Sequence, residues 1–170
     1  TDWWSEAIDK WSIEQQHNIT LRGGNDKFKY YISGQYLDQD AIYKSQDYGY
    51  KQYNGRGNFD VQLSRNLKVG VDFSYRVGEV KSPTLSASDL IRQVFVSAPY
   101  DFPYYEDGTL HKTTTGNPIP LADGSSGNKS TKKTRLESKF SARWNLPFIT
   151  KGLYMSGYFA YDYYTTYRKD

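Results

Sequence analysis

The stretch YNGRGNFDVQL, residues 53–63, decides the fold class of this chain. Its odd-numbered positions hold Tyr, Gly, Gly, Phe, Val and Leu, and its even-numbered positions hold Asn, Arg, Asn, Asp and Gln. Successive side chains of a β-strand point to opposite faces, so this alternation predicts a strand with one apolar and one polar face. The stretch LKVGVDFSYRV, residues 67–77, repeats the pattern after the turn residues 64–66. The two stretches therefore predict an antiparallel hairpin of long strands.

The period of two continues on both sides of this hairpin. Alternating segments also cover 16–23, 28–38, 134–146 and 153–167, with turn residues at 24–27 and 147–152. Longer polar connections occupy 39–47 and 79–132. We therefore divide the chain into four parts: a loop helix in 1–13, four strands in 14–78, a long extracellular loop with a helix in 79–132, and two strands in 133–168.

Two segments have helical spacing instead. In residues 2–12, Asp2 can cap a helix whose shared face carries Trp4, Ile8 and Trp11. In the long loop, Ser86 and Asp89 form a start that resembles a capping box. The predicted apolar face of this second helix consists of Leu90, Ile91, Val94 and Phe95.

Strand length and loop length together favour a membrane barrel. Most of the strands have about ten residues or more, whereas strands of soluble proteins typically have about 5–6 and a tilted strand crosses a bilayer with about 9–11. Short turns alternate with long loops, as in outer-membrane barrels. Aromatic residues fall near the strand ends, which is where a membrane interface is expected: Tyr36, Tyr53, Tyr75, Tyr161 and Tyr163 at the rim of the long loops, and Phe28, Trp144 and Phe148 at the other.

The predicted fold class is all-β: antiparallel up-and-down strands, about six in number, forming a partial segment of a transmembrane barrel with short helices in the loops. The smallest such barrels have about eight strands, so the missing strands are expected from the rest of a parent chain. The sequence begins at Thr1 without an initiator Met or a signal peptide. We therefore expect that an N-terminal part has been removed.

Composition excludes several other classes. The chain has no cysteine, which removes disulfides, cysteine-ligated zinc and thiol nucleophiles. A net charge of +3 without a clustered patch gives no reason to expect nucleic acid as a partner. His17 and His111 are the only histidines, and no Ser/His/Asp arrangement is recognisable. We therefore expect no enzymatic activity, no catalytic residue, no cofactor and no metal site.

Four aromatic residues of the long loop are candidates for contact with a ligand or partner: Tyr100, Phe102, Tyr104 and Tyr105. They can stack on sugar rings or on a protein, or pack on each other around the neighbouring prolines. The nearby carboxylates Asp101, Glu106 and Asp107 are interpreted as turn residues, with a calcium site as the alternative. Gly55 and Gly57 are interpreted as close-packing strand positions beside aromatic rings.

The polar face of the predicted strands carries charges of both signs in mid-strand. These residues are expected to line the lumen of an intact barrel and to form cross-strand charge pairs. They are Arg56, Asp60, Asp72, Arg76, Arg135, Glu137, Lys139 and Arg143.

Several segments, in this order and spacing, resemble the SusC/RagA class of TonB-linked outer-membrane proteins. They are TDWW at 1–4, HNITLRGGN at 17–25, KYYISGQYLDQD at 29–40, LKVG at 67–70 with FSY at 73–75, and the pairs Ala98-Pro99, Asp107-Gly108 and Asn117-Pro118.

The resemblance implies a plugged barrel of about 22 strands, with this chain just after the plug at roughly the second to seventh strands. It also implies import of glycan fragments or peptides across the Gram-negative cell outer membrane. The implied partners are a SusD-like surface lipoprotein, TonB through the missing N-terminal part, the substrate, and outer-membrane lipid. Trp3, Trp4 and Trp11 are interpreted as packing the loop helix on the barrel mouth, with contact to the lipoprotein as the alternative. The alternatives are a passive porin or adhesin-like barrel, and a soluble β-sheet carbohydrate-binding module.

Overall fold

A computed structural model of the chain describes residues 1–45 and 47–169. Most of them lie in six strands: β1 (Glu14–Gly24), β2 (Phe28–Asp40), β3 (Gly49–Gln62), β4 (Leu67–Pro83), β5 (Asn128–Asn145) and β6 (Tyr154–Lys169). The helices are α1 (Trp3–Ala7), α2 (Ala87–Val96) and α3 (Ile119–Ala122). None of the helices in these ranges is long and apolar enough to cross a membrane.

The strands form one antiparallel sheet in the order β1-β2-β3-β4-β5-β6. This is the predicted up-and-down arrangement, and the fold class is confirmed. Connections of three, four and eight residues join β1 to β2, β3 to β4 and β5 to β6 at one end of the strands. At the opposite end, eight residues join β2 to β3, and the long loop 84–127 joins β4 to β5. The sheet is open in the described residues, because β1 pairs only with β2 and β6 only with β5.

The register aligns the apolar side chains of all six strands into rows across one face. Phe59 lies opposite Val71, Val71 opposite Phe140, and Phe140 opposite Phe159. Two residues further along the strands, Phe73 belongs to the next row. Each tight turn sets this register, so apolar positions on one strand meet apolar positions on the next.

Six such rows make up the apolar face, from the row of Leu67 and Trp144 to the row of Tyr53 and Val77. The next row is charged, and its members are Asp38, Lys51, Glu79 and Lys132. From Leu67 to Val77 the strand rises about 33 Å at about 3.3 Å per residue. At a tilt of about 40° this corresponds to a band about 25 Å high, the usual height of the apolar belt of a membrane barrel.

The apolar face is not covered by another layer of the described residues. Phe73 and Phe140 remain 42% and 51% exposed. Val69, Val71, Phe59 and Val61 are only partly buried, by neighbours in their own sheet. A soluble β-sandwich would bury these side chains between two sheets, so the single sheet argues against that alternative.

One row of the apolar face lacks side chains in its middle. Gly34 of β2 lies directly opposite Gly55 of β3, between Ile19 and Tyr75. A Cβ atom on Gly55 would meet nothing within 4 Å, so the expected close packing is wrong at this position. At Gly57 the expectation is correct, because a Cβ atom there would lie 3.0 Å from the ring of Phe59.

The hydrophobic core lies outside the sheet, in a unit that we call the cap. The cap consists of three segments: residues 1–13, residues 41–45 and 47–48, and the loop 84–127. Its fully buried apolar side chains come from all three segments and from all three helices: Trp3, Ala7, Ile8, Tyr48, Leu90, Val94, Ile119 and Ala122. Main-chain hydrogen bonds join the segments, from Asp9 N to Ile42 O at 2.8 Å and from Ser45 N to Ala122 O at 2.8 Å.

The first helix differs from the prediction. It ends at Ala7 rather than at residue 12, because Ile8 forms an antiparallel β-bridge with Tyr43. The expected face of Trp4, Ile8 and Trp11 is therefore wrong: Trp3 and Ala7 are buried, and Trp11 is 86% exposed.

The second helix starts as expected, with Ser86 as its N-cap accepting from Asp89 N at 3.2 Å. Leu90 and Val94 are buried, but Phe95 is 73% exposed. The strands around this loop are longer than predicted. β4 continues to Pro83 and β5 begins at Asn128, so the loop spans 84–127 instead of 79–132.

Candidate functional site

The polar face of the sheet holds all eight residues that the sequence analysis assigned to a lumen. They lie opposite the apolar rows and meet across β3, β4 and β5: Asp72 is level with Lys139, Arg76 with Arg135, and Lys68 with Arg143. Arg56 is level with Ser74, which is level with Glu137. The fixed register brings these residues onto one surface although they are up to 87 positions apart in the chain.

Most charges on this face have a partner nearby. Lys68 Nζ lies 3.2 Å from Asp60 Oδ2, and Arg135 lies 2.5 Å from Glu137. Asn58 donates to Asp72 at 2.5 Å. These groups are half-exposed, so each pair contributes little to stability but fixes the orientation of the side chains.

Two basic side chains at one end of the face lie over tyrosine rings of β6. The Arg143 guanidinium is 4.0 Å from the centre of the Tyr154 ring, and Lys139 Nζ is 5.2 Å from that of Tyr158. Both are cation–π contacts, which hold the charges flat against the sheet.

The two arginines toward β2 bind amide oxygens instead of carboxylates. Arg56 donates from Nε to Asn58 Oδ1 at 3.0 Å, and Arg76 donates from Nε to Asn54 Oδ1 at 3.1 Å. Asn54 in turn donates to Gln35 at 2.7 Å. A hydrogen-bonded chain of amides and guanidinium groups thus crosses β2, β3 and β4.

The four candidate aromatic residues of the long loop differ in how closely they pack on their neighbours. Phe102 stacks on His111 with ring centres 4.1 Å apart, and Tyr105 meets the same two rings edge-on at 5.7 and 4.8 Å. Tyr104 is 42% exposed, and the desolvation of its covered part together with the charges of Asp123 and Glu6 raises the pKa of its phenol. Tyr100 is 85% exposed. Phe102 and Tyr105 therefore pack on each other and on His111 but stay 44% exposed, and Tyr100 is the most accessible of the four.

The loop between Pro103 and His111 is held as a tight hairpin. Tyr105 N donates to Thr109 O at 2.8 Å, and His111 N donates to Pro103 O at 2.9 Å. Asp107 accepts from Thr109 N at 2.9 Å and from its hydroxyl at 2.6 Å, which lowers the pKa of the Asp107 carboxyl. Asp107 is therefore a turn residue, as interpreted from the sequence. Across residues 1–45 and 47–169, no three His, Cys, Asp or Glu side chains converge as metal ligands.

The two N-terminal tryptophans have different environments. Trp3 is 3% exposed and donates from Nε1 to Ala98 O at 2.8 Å. Its indole therefore packs inside the cap, as in the first of its two interpretations, and has no surface for the alternative, contact with a partner. Trp4 is 45% exposed, and its ring lies 5.7 Å from that of Phe95. Trp4 and Phe95 are both exposed and in contact, and we call these two residues the cap patch. Spacing along the sequence did not separate Trp3 from Trp4.

Comparison with known proteins relates the chain to large transporters. No protein-family model matches the sequence. TonB-dependent receptor P3 of Formosa agariphila is 29% identical in an alignment 133 residues long, and the match covers 72% of this chain and 13% of that receptor. A chain in the structure of the RagAB peptide transporter superposes with a TM-score of 0.67 at 20% identity, covering 99% of this chain and 19% of that one.

The chain thus spans less than a fifth of the length of either relative. The structural match shows the fold, an antiparallel sheet like the wall of a transporter barrel. Together with the motifs at 1–4, 17–25 and 29–40, the two matches support the resemblance seen in the sequence. The chain is similar to a barrel segment of the SusC/RagA-like TonB-dependent transporters.

Proposed function

We propose that this chain forms part of the barrel wall of a TonB-dependent outer-membrane importer for oligosaccharides or peptides. One observation carries the proposal. On one face of the sheet, six apolar rows together form a band about 25 Å high that ends at a row of charges, and the other face is polar. A sheet with this pattern is stable where hydrocarbon meets one face and water meets the other.

The ends of the apolar band have the aromatic residues that a membrane interface favours. At the upper end, the rings of Tyr36 and Tyr53 lie 5.0 Å apart, one row below the ion pair of Asp38 and Lys51. At the lower end, the rings of Trp144 and Phe148 lie 6.4 Å apart beside the short turn. In this arrangement the long connections and the cap face the outside of the cell.

The polar face would then line the lumen, with Arg56, Asp60, Asp72, Arg76, Arg135, Glu137, Lys139 and Arg143 in contact with water, a plug or the substrate. The cap patch would contact a SusD-like surface lipoprotein, because it is apolar, exposed and lies on the side of the long loops. Energy would come from TonB through a part of the parent protein outside this chain. The wall segment itself has no catalytic task.

Cysteine scanning in the parent protein tests the orientation of the sheet. This segment has no native cysteine, so in a parent protein whose other cysteines, if any, are replaced by serine, a single cysteine reports only on its own position. Val71→Cys and Phe73→Cys should resist a water-soluble maleimide in intact outer membranes, while Asp72→Cys between them should react. Equal reactivity at all three positions would refute a membrane-facing apolar surface.

Uptake measurements test the coupling. In cells that express the parent protein, uptake of labelled oligosaccharides or peptides should stop when TonB is deleted. A passive porin, which can use the same strands, would keep its uptake. Deletion of the lipoprotein gene nearest to the parent gene should likewise reduce uptake if the cap patch has a lipoprotein partner.

A further inference from the structure

The polar face contains a concavity between β1 and β4 that is lined only by neutral and basic side chains. Its volume is about 370 Å³, and its lining includes Arg56, Arg76, Tyr31, Asn54 and Ser74. Among the described residues, no aspartate or glutamate contributes to this lining. The Arg76 guanidinium therefore faces a space without a negative charge, while Arg56 lies at the border between this concavity and the next one.

Each guanidinium still has donors to offer. Arg56 and Arg76 each use Nε for an asparagine oxygen, at 3.0 and 3.1 Å. A guanidinium carries five N–H groups, so the terminal nitrogens keep their donors. In the part of the chain that the structure describes, neither arginine forms an ion pair.

The neighbouring region of the same face has the opposite composition. The next concavity, toward β6, contains the carboxylates Asp72, Glu137 and Asp162 together with Lys139, and Arg56 borders it as well. Arg135 lies directly opposite Arg76 but is neutralised by Glu137 at 2.5 Å. Like charges directly opposite each other destabilise a sheet. Arg76 thus has no ion-pair partner among the described residues, although Glu137 lies on the neighbouring strand.

We propose that this concavity binds a carboxylate, held by the terminal nitrogens of Arg56 and Arg76. Arginine is suited to this task because its planar group binds a carboxylate through two parallel hydrogen bonds. The carboxylate belongs either to a ligand in the lumen or to an acidic side chain from another part of the parent protein. The assignment relies on the proposed function only in treating this face as the lumen.

Peptide binding to the purified parent protein tests whether the carboxylate belongs to a ligand in the lumen. The probes are N-acetylated tetra-alanine with a free carboxylate and the same peptide with a C-terminal amide. The wild type should bind the acid at least about tenfold more tightly than the amide, and the double variant Arg56→Gln/Arg76→Gln should lose this preference. Arg65→Gln, at the turn between β3 and β4, removes one arginine outside the concavity and should keep it.

Thermal unfolding of the same proteins without peptide tests whether the carboxylate belongs to an acidic side chain of the parent protein. If an acidic side chain of the parent protein occupies the concavity, the double variant should lower the unfolding midpoint by several degrees relative to Arg65→Gln, and the wild type should not distinguish acid from amide. If the double variant changes neither the peptide preference nor the midpoint, the site does not exist. Arg76→Lys keeps the charge but loses the paired donors, so it should show part of whichever effect is seen.

Neither measurement requires transport or TonB. A protein that fails the uptake test can still bind the acid, and an importer can still lack this site. The two proposals can therefore fail independently.

Discussion

Lys51 Nζ lies 3.2 Å from Asp38 Oδ2, across β2 and β3, on the same face as the apolar rows. Directly below this pair in the register are Tyr53 and Tyr36, and every row from there to Trp144 is dominated by apolar or aromatic side chains. In the proposed barrel wall, the pair marks the level at which the environment of this face changes from hydrocarbon to water.

The loss of stability caused by an inserted charge should depend on its height within the apolar band. Val71→Lys, in the middle rows, should destabilise the folded parent protein by about 2–4 kcal/mol, and Tyr53→Lys, in the top row, by about 0–1 kcal/mol. Urea titration of the protein in lipid vesicles measures both. Equal costs at the two positions would contradict the position of the band.

The cap should depend on Trp3 and not on Trp11. Trp3→Ala removes a buried indole, which costs about 3–5 kcal/mol, whereas Trp3→Phe loses chiefly the hydrogen bond to Ala98 O, about 1 kcal/mol. Trp11→Ala, at an exposed side chain, should change stability by less than about 0.5 kcal/mol. Native-state proteolysis of the loop 84–127 in the parent protein measures these differences. A cap that is cut equally fast in all variants would contradict a shared core.

The cap should become less stable in alkaline solution. The side chain of Tyr48 is buried and its hydroxyl donates to Gly127 O at 3.1 Å. Burial, followed by the charges of Asp123 and Asp47, raises the pKa of this phenol above 10.0. The unfolded state then loses its proton at a lower pH than the folded state, so stability is constant below pH 10 and falls above it.

Proteolysis of the cap between pH 8.5 and 11 measures this loss. Tyr48→Phe should be less stable at neutral pH, because it loses the hydrogen bond, but its profile above pH 10 should be flatter than that of the wild type. Tyr100→Phe, at an exposed position, serves as the control and should keep the wild-type profile. If Tyr48→Phe also keeps that profile, the ionisation of Tyr48 does not limit the stability of the cap.

Two glycines of the cap have left-handed backbone conformations, and comparing alanine substitutions at them separates the cost of a steric contact from the cost of conformational strain. Gly124 and Gly108 have φ values of +85° and +81°, so alanine at either position costs about 1–2 kcal/mol of conformational strain. A Cβ atom on Gly124 would also lie 2.9 Å from Ser45 Oγ, whereas one on Gly108 would meet nothing within 4 Å. Gly124→Ala should therefore destabilise the cap by about 1–3 kcal/mol more than Gly108→Ala does. The same proteolysis assay compares them, and equal costs would show that the contact relaxes freely.

The sheet could be predicted from the sequence because residues close together in the chain determine both its faces and its register. Alternation at 53–63 and 67–77 determines which side chains share a face, and the short turn at 64–66 determines which residues lie opposite one another. The polar set on the other face followed from the same period. The ends of β4 and β5 could not be predicted, because beyond Gly78 and Lys133 polar residues occupy both faces and the alternation disappears.

The cap could not be predicted, because its contacts join distant segments. Trp3 meets a carbonyl 95 residues away, and Tyr48 meets one 79 residues away. The helical spacing of Trp4, Ile8 and Trp11 was a real signal, but the bridge between Ile8 and Tyr43 ends the helix before that face can form. The concavity beside Arg56 and Arg76 was missed for a different reason: the sequence shows which residues share a face but not which charges remain uncompensated on it.

The Gly34–Gly55 pair affects the outline of the complete barrel. A wall of branched and aromatic side chains resists sharp curvature, and glycines in strands commonly mark the bends of barrels. With no Cβ atom on either residue, β2 and β3 can fold toward each other at this level more easily than any other two neighbours in the sheet. We expect a corner along this seam, which would make the cross-section of the pore elongated instead of circular.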